Sequence, residues 1–250
     1  DHMATTGGRP ILDALVMLLG RHAFFTAGES QSLPARLADS RTRQANVSTK
    51  LAEQVLDAVQ VLLRGFELAA ERDGSSLLHD AVASGDDHVY GGLLTVLLRL
   101  VFVLYAEAWD LVPTESPIWA RDYSVLALFA ELREDAGQSP DSMSRRFGAW
   151  GRLLALFRAI YLGIDHHSAA GSLHVPPRRG NLFDPERHPF LEGWPPAGGA
   201  PISDPAARAA VRVPTIDDET VLGVLERLVI LQGQRLSYKN LDVEQLGSVY

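Results

Sequence analysis

The chain has 250 residues, 46% of them hydrophobic, with a mean hydropathy near zero, enough to bury a substantial core and too apolar for a disordered chain. It contains no cysteine, which excludes disulfides, thiolate metal sites and cysteine nucleophiles and fits a reducing, cytoplasmic setting. Its 31 acidic against 23 basic residues give a formal charge of −8, the opposite of a dedicated basic nucleic-acid module, although a local basic patch is compatible with it.

Asp1, His2 and Met3 read as a cloning remnant, leaving 4–250 as one helical domain. A first helix is expected from about Pro10 to Phe25, ending near Gly28, followed by a loop through Ser40 and the basic Arg41 to Arg43. No secretory signal is read here, because Asp13 interrupts the apolar stretch Ile11 to Leu19. Leu51, Val55, Val59, Leu62 and Phe66 then repeat by threes and fours, with Glu53, Asp57, Gln60, Arg64, Glu67 and Glu71 on the other side: an amphipathic helix stopped by Gly74.

A third helix, Tyr90 to Trp109, is apolar nearly all round and must be surrounded by others. Its longest apolar run, Leu93 to Ala106, is broken by Thr95 and Arg99 and is short for the roughly 20 residues of a membrane span, so a core helix and no membrane association are expected. Thr95, Arg99 and Glu107 share one stripe, which suggests a buried charge pair with hydrogen bonds. A polar contact to a neighbouring domain is the alternative.

Tyr123 to Asp135 reads as a helix closed by Gly137. Ser139-Pro140-Asp141 supplies an N-cap, a proline at N1 and a first-turn acid for another, carrying Phe147, Trp150, Leu154, Phe157 and Tyr161 to Gly163. From 164 to 214 the chain turns proline- and glycine-rich without a sustained period, and a long irregular loop region is expected. Asp217-Asp218-Glu219 opens a last helix to about Gln232. The fold class is therefore mainly α: a multi-helix bundle with a long irregular Pro/Gly-rich loop and few or no strands.

No catalytic constellation emerges. The two lysines, Lys50 and Lys239, are preceded two residues earlier by Ser48 and Ser237, so the acid-x-lysine core of a PD-(D/E)xK nuclease is absent. Trp194-Pro195-Pro196-Ala197 lacks both ends of an amino-methyltransferase Asn-Pro-Pro-Tyr loop, and Gly198-Gly199 follows no strand and opens no helix. Neither a P-loop nor a Gly-x-Ser-x-Gly elbow occurs. His166, His167, His174 and His188 lack the His-x-x-x-His spacing of a helical metal site and are expected to line a solvated loop. Arg178-Arg179 before Gly180-Asn181 is the strongest candidate contact, since guanidinium forks fit phosphate oxygens; the competing reading is a salt-bridged loop. Arg145-Arg146 and Arg41/Arg43 are weaker versions of the same pattern.

Three stretches, in order, carry a resemblance. They are Leu104-Tyr105-Ala106-Glu107 with Leu111-Val112-Pro113, then Gly180-Asn181-Leu182-Phe183-Asp184 with His188-Pro189-Phe190-Leu191, and finally Leu236 to Tyr250, with Tyr238, Lys239 and Leu241-x-Val243-x-x-Leu246-Gly247. They resemble the helical region ahead of the methyltransferase core in Type IIG and Type IIL restriction-modification enzymes and in the adenine-N6 methyltransferases of BREX and DISARM phage-defence systems. The resemblance implies a parent protein that transfers a methyl group from S-adenosylmethionine to adenine in DNA, with this segment non-catalytic, free of cofactor, and ending where the catalytic domain begins. It implies partners too: DNA through the parent, its own methyltransferase domain, and other phage-defence proteins. The residues expected to contact DNA or a neighbouring domain are Arg178, Arg179, Gly180, Asn181, Phe183, Tyr238 and Lys239. Asn181 stands where the family usually carries glycine, and asparagine is the residue that next best tolerates a positive φ. The alternative function is a pure protein-interaction module of a defence complex with no DNA contact; a standalone helical enzyme ranks third.

Overall fold

The computed structural model describes residues 32–74, 77–83, 88–168, 171–194 and 211–240, with isolated positions between 13 and 20. The protein is mainly helical, as its hydrophobic periodicity implies. The expected helix at Pro10 to Phe25 and the closing residues 241–250 lie outside the described residues.

Helix α1 spans Leu33–Asp73, 41 residues. Ser32 caps it by accepting from the Ala35 N–H at 3.4 Å with Pro34 in the first turn, and Gly74, at φ 60°, ends it in the left-handed conformation. The loop expected through Ser40 and Arg41 to Arg43 is instead part of this helix. That stretch is polar but contains no glycine and no proline beyond Pro34, so nothing stops propagation once the first turn has formed. The buried face is the predicted one: Val55, Val59, Leu62 and Phe66, with Ala58 and Ala69.

Short α2 (Leu77–Ala83) leads to α3 (His88–Ala108), the centre of the molecule. At 21 residues α3 is long and apolar enough to cross a membrane, which corrects the shorter run read from sequence, but 67% of its most apolar window is buried among the other helices, as in a core helix. After a π-helical turn at Trp119–Tyr123, α4 covers Val125–Gln138, capped by Ser124, which accepts from the Ala127 N–H at 3.1 Å. Gly137 therefore lies inside the last turn of α4 and does not close it.

The helix expected from Ser139 to Gly163 divides in two. Pro140–Arg145 forms a 3₁₀ turn anchored by buried Met143, and α5 begins afresh at Ala149–Leu162. The break has a tertiary cause. Asp218 accepts from the Ala149 N–H at 2.8 Å while its own N–H donates to the Arg146 carbonyl at 2.8 Å, so a residue 69 positions away supplies the cap for α5. Phe147 falls in the break, 42% exposed, with the Arg72 guanidinium 4.6 Å above its ring; Trp150, Leu154 and Phe157 keep the predicted core positions.

The region expected to be irregular opens with an antiparallel hairpin, β1 (Ile164–Ser168) and β2 (Gly171–Val175), in the register Ile164↔Val175 to Ser168↔Gly171. Only Leu173 and Val175 of β2 are buried, and one apolar pair among histidines and serines hides the period-two signal. Irregular chain and a 3₁₀ turn, Pro189–Glu192, follow. Helix α6 (Asp218–Val229), capped by Asp217, packs most extensively against α1 and leads into a tight hairpin, β3 (Ile230–Leu231) and β4 (Gln234–Arg235). Its turn residues Gln232 and Gly233 both take positive φ, 54° and 76°, as a two-residue turn requires.

Candidate functional site

The first two stretches that carry the resemblance and the described start of the third, Leu236 to Asn240, are far apart in sequence and come together at the C-terminal half of α3. The first is that half itself. Glu107 is buried and accepts from the N–H groups of Val125 at 2.9 Å and Leu126 at 3.3 Å, a carboxylate set on the positive end of α4. Burial raises its pKa, and the two backbone N–H bonds act in the opposite direction. The chain then reverses through Asp110, a non-glycine residue at φ 53°, into Leu111-Val112-Pro113.

The second stretch is clamped to α3 by Arg99, 1% exposed. Its Nε donates to the Leu182 carbonyl at 2.6 Å and its Nη2 to that of Asp184 at 3.0 Å, while its guanidinium lies 5.3 Å from the Phe157 ring centroid and 5.9 Å from that of Phe183. Burial brings the Arg99 pKa down to about 10, against the opposing pull of Glu192 and Asp184. The charge pair expected between Arg99 and Glu107 is therefore not made. Eight residues put them roughly 12 Å apart along the helix axis, and each serves a different incoming loop.

Of the candidate residues, Phe183 and Tyr238 are buried. Phe183 stacks edge-on against Phe102 at 5.4 Å and lies 6.0 Å from Phe157; Tyr238 donates its hydroxyl to the Leu228 carbonyl at 2.9 Å beside α3. Lys239 is exposed, its Nζ 4.0 Å from Asp110 Oδ2, which brings the third stretch to the end of α3. Arg178, Arg179, Gly180 and Asn181 are exposed. The N–H groups of Arg178 and Arg179 donate to Ile160 and Tyr161 carbonyls at 2.9 and 3.3 Å, closing the C-terminus of α5, where positive side chains are also favourable. Neither guanidinium forms an ion pair among the described residues. Asn181 needs no positive φ: that conformation falls on Arg179, at 20°.

The first two stretches, with the ends of α5 and β2, enclose a half-open groove of about 590 Å³. Phe102, Val103 and Ala106 of α3, the Leu111–Pro113 turn and Phe183 form its apolar surfaces, and His174 and Arg178 bring the titratable groups. Phe102 was missed as a functional candidate because an apolar residue in a helical run reads as core, and Leu111 was marked only by the resemblance; here they are 45% and 61% exposed. Arg145 and Arg146 are engaged locally, Arg145 with the Asp141 carbonyl and Arg146 with the Asp135 carboxylate.

The histidines separate. His166, His167 and His174 are exposed on the β1–β2 hairpin, the last two near Asp165 at 3.3 and 3.8 Å. His188 does not line a solvated loop: it is buried against His88, ring centroids 5.2 Å apart, over Gly91 and Gly92. Burial first, then the proximity of His88, Arg187 and Arg99, lowers its pKa to about 4. Among the described residues no cluster of three or more metal-ligating side chains occurs. Set against known proteins, the chain matches no protein-family model, and neither a curated protein nor a solved structure matches it significantly.

Proposed function

We propose that this chain is a non-catalytic helical platform of a bacterial DNA adenine-N6 methyltransferase of the restriction-modification or phage-defence type, holding the catalytic domain in register with DNA and offering a surface to partners. The observation that supports this reading is the meeting of two sequence-distant resembling stretches and the first five residues of the third at one end of α3, held by Arg99, Phe183 and Tyr238. A base-flipping enzyme must offset a few kcal/mol of unstacking with extended contacts and a fixed domain arrangement, and a rigid bundle supplies the latter. S-adenosylmethionine chemistry and the flipped adenine belong to the parent's catalytic domain, and the parent works in the cytoplasm. Arg178 and Arg179, rooted on α5 through their N–H groups, are the residues assigned to the DNA backbone.

Two measurements test this. The complete reading frame, expressed as one protein, should transfer a labelled methyl group from S-adenosylmethionine to adenine N6 in duplex DNA; inability to do so removes the methyltransferase reading. In that protein, Arg178→Glu with Arg179→Glu should weaken DNA binding and flatten the log–log salt dependence by about 2, since each lost phosphate contact removes about 0.9. An unchanged slope would leave the second reading, an interaction module that never touches DNA, which the net charge of −8 favours.

A further inference from the structure

The groove beside α3 has a shape and charge that specify its occupant. Phe102 and Leu111 continue its apolar surface to the outside, and Trp109, also exposed, stands between them in sequence just past the end of α3. A small ligand would be enclosed on most of its surface, whereas a half-open apolar groove edged by exposed apolar side chains suits a polypeptide helix lying against it. Exposed aromatic and aliphatic side chains beside such a groove mark an interaction surface. Its charge is one-sided. Arg178 stands on the wall without an ion pair among the described residues, His174 is already near Asp165, and Asp110 is occupied by Lys239 and by the Thr114 hydroxyl at 2.9 Å. In a chain carrying −8 overall, an unneutralised arginine at the lip of an apolar groove favours an acidic partner over a basic one.

We infer that the groove seats an amphipathic helix of a partner, apolar on the face that meets Phe102 and Leu111 and carrying carboxylates along the flank that meets Arg178. The inference rests on the partner-platform half of the function proposed above and is independent of methyl transfer. Phosphates have no favourable place on the apolar surfaces, so DNA is excluded from the groove itself, whatever it does at Arg179.

The test is selection of a phage-displayed library of random peptides of about 16 residues, roughly 24 Å as a helix, on the folded chain. Enriched peptides should combine apolar residues spaced by three and four with Asp or Glu on one flank. A synthetic copy of the leading peptide should bind at least roughly tenfold more weakly to Phe102→Ser and to Leu111→Asp, a substitution at a largely exposed position, as expected of interface anchors. A copy with its acids changed to lysine should prefer Arg178→Glu to the unaltered chain. Recovery of basic or wholly polar peptides, no enrichment at all, or indifference to Leu111→Asp each overturns the inference. A groove that takes no peptide while Arg178 and Arg179 still govern DNA affinity in the longer protein sinks this inference alone. Peptide binding in a protein without methyl transfer sinks only the methyltransferase reading.

Discussion

Arg99 shows how a single side chain positions the whole site. It is a buried cation that binds two carbonyl oxygens of an incoming loop, and its planar fork reaches both at once, which a lysine ammonium cannot do. Arg99→Leu leaves the Leu182 and Asp184 carbonyls without their donors, and the domain should lose about 2–4 kcal/mol in urea denaturation, the cost of two unsatisfied buried groups. Arg99→Lys should recover only part of that loss. His188 makes a different demand. Its neutral form is held among His88, Arg187 and Arg99, with a pKa of about 4 against an ordinary 6.5. Below 6.5 the unfolded chain therefore binds more protons than the folded one, so the stability associated with His188 is complete above that pH and falls as the pH drops towards about 4. Urea midpoints measured across that window should decline in the unaltered chain and decline less in His188→Phe; identical slopes would refute the assignment. The sequence placed Arg99 in an apolar helix but could not say what it binds, because its partners are backbone carbonyls more than 80 positions away.

At the scale of elements, what was legible followed from local patterning. The buried stripe of α1, the apolar character of α3 and the Asp217 cap of α6 were all readable because capping and periodicity involve neighbours within a turn or two. The start of α5 was not, because its N-terminal N–H is satisfied by Asp218 from another helix, and the favourable cap signal at Ser139-Pro140-Asp141 yielded only a 3₁₀ turn. At the crossing of α1 and α6, Gly65 is decisive. A Cβ there would run into the Thr220 side chain, so α1 and α6 approach as closely as they do only because residue 65 is glycine. Gly65→Val should overpack this crossing and cost about 1–3 kcal/mol in a thermal or denaturant melt. A variant as stable as the parent chain would mean that the two helices separate freely.

Across the whole molecule, one core joins α1, α3, α4, α5, α6 and the β2, Phe183 and Tyr238 positions, so the loop carrying Arg178 and the segment carrying Lys239 are both fastened to the same helix, α3. That arrangement builds a surface: an apolar groove with an arginine at its lip. The amino-acid sequence alone determined the helical class, the lack of cysteine chemistry, the amphipathic faces and some helix ends, such as those at Gly74 and Gly163, since each depends on residue type and on partners a few positions away. Only the tertiary structure decided that Phe102 and Leu111 face outward, that Arg99 and Glu107 serve separate loops and that the loop around Phe183 and the turn at Tyr238 both meet α3, because burial and long-range hydrogen bonds are settled by which elements pack together.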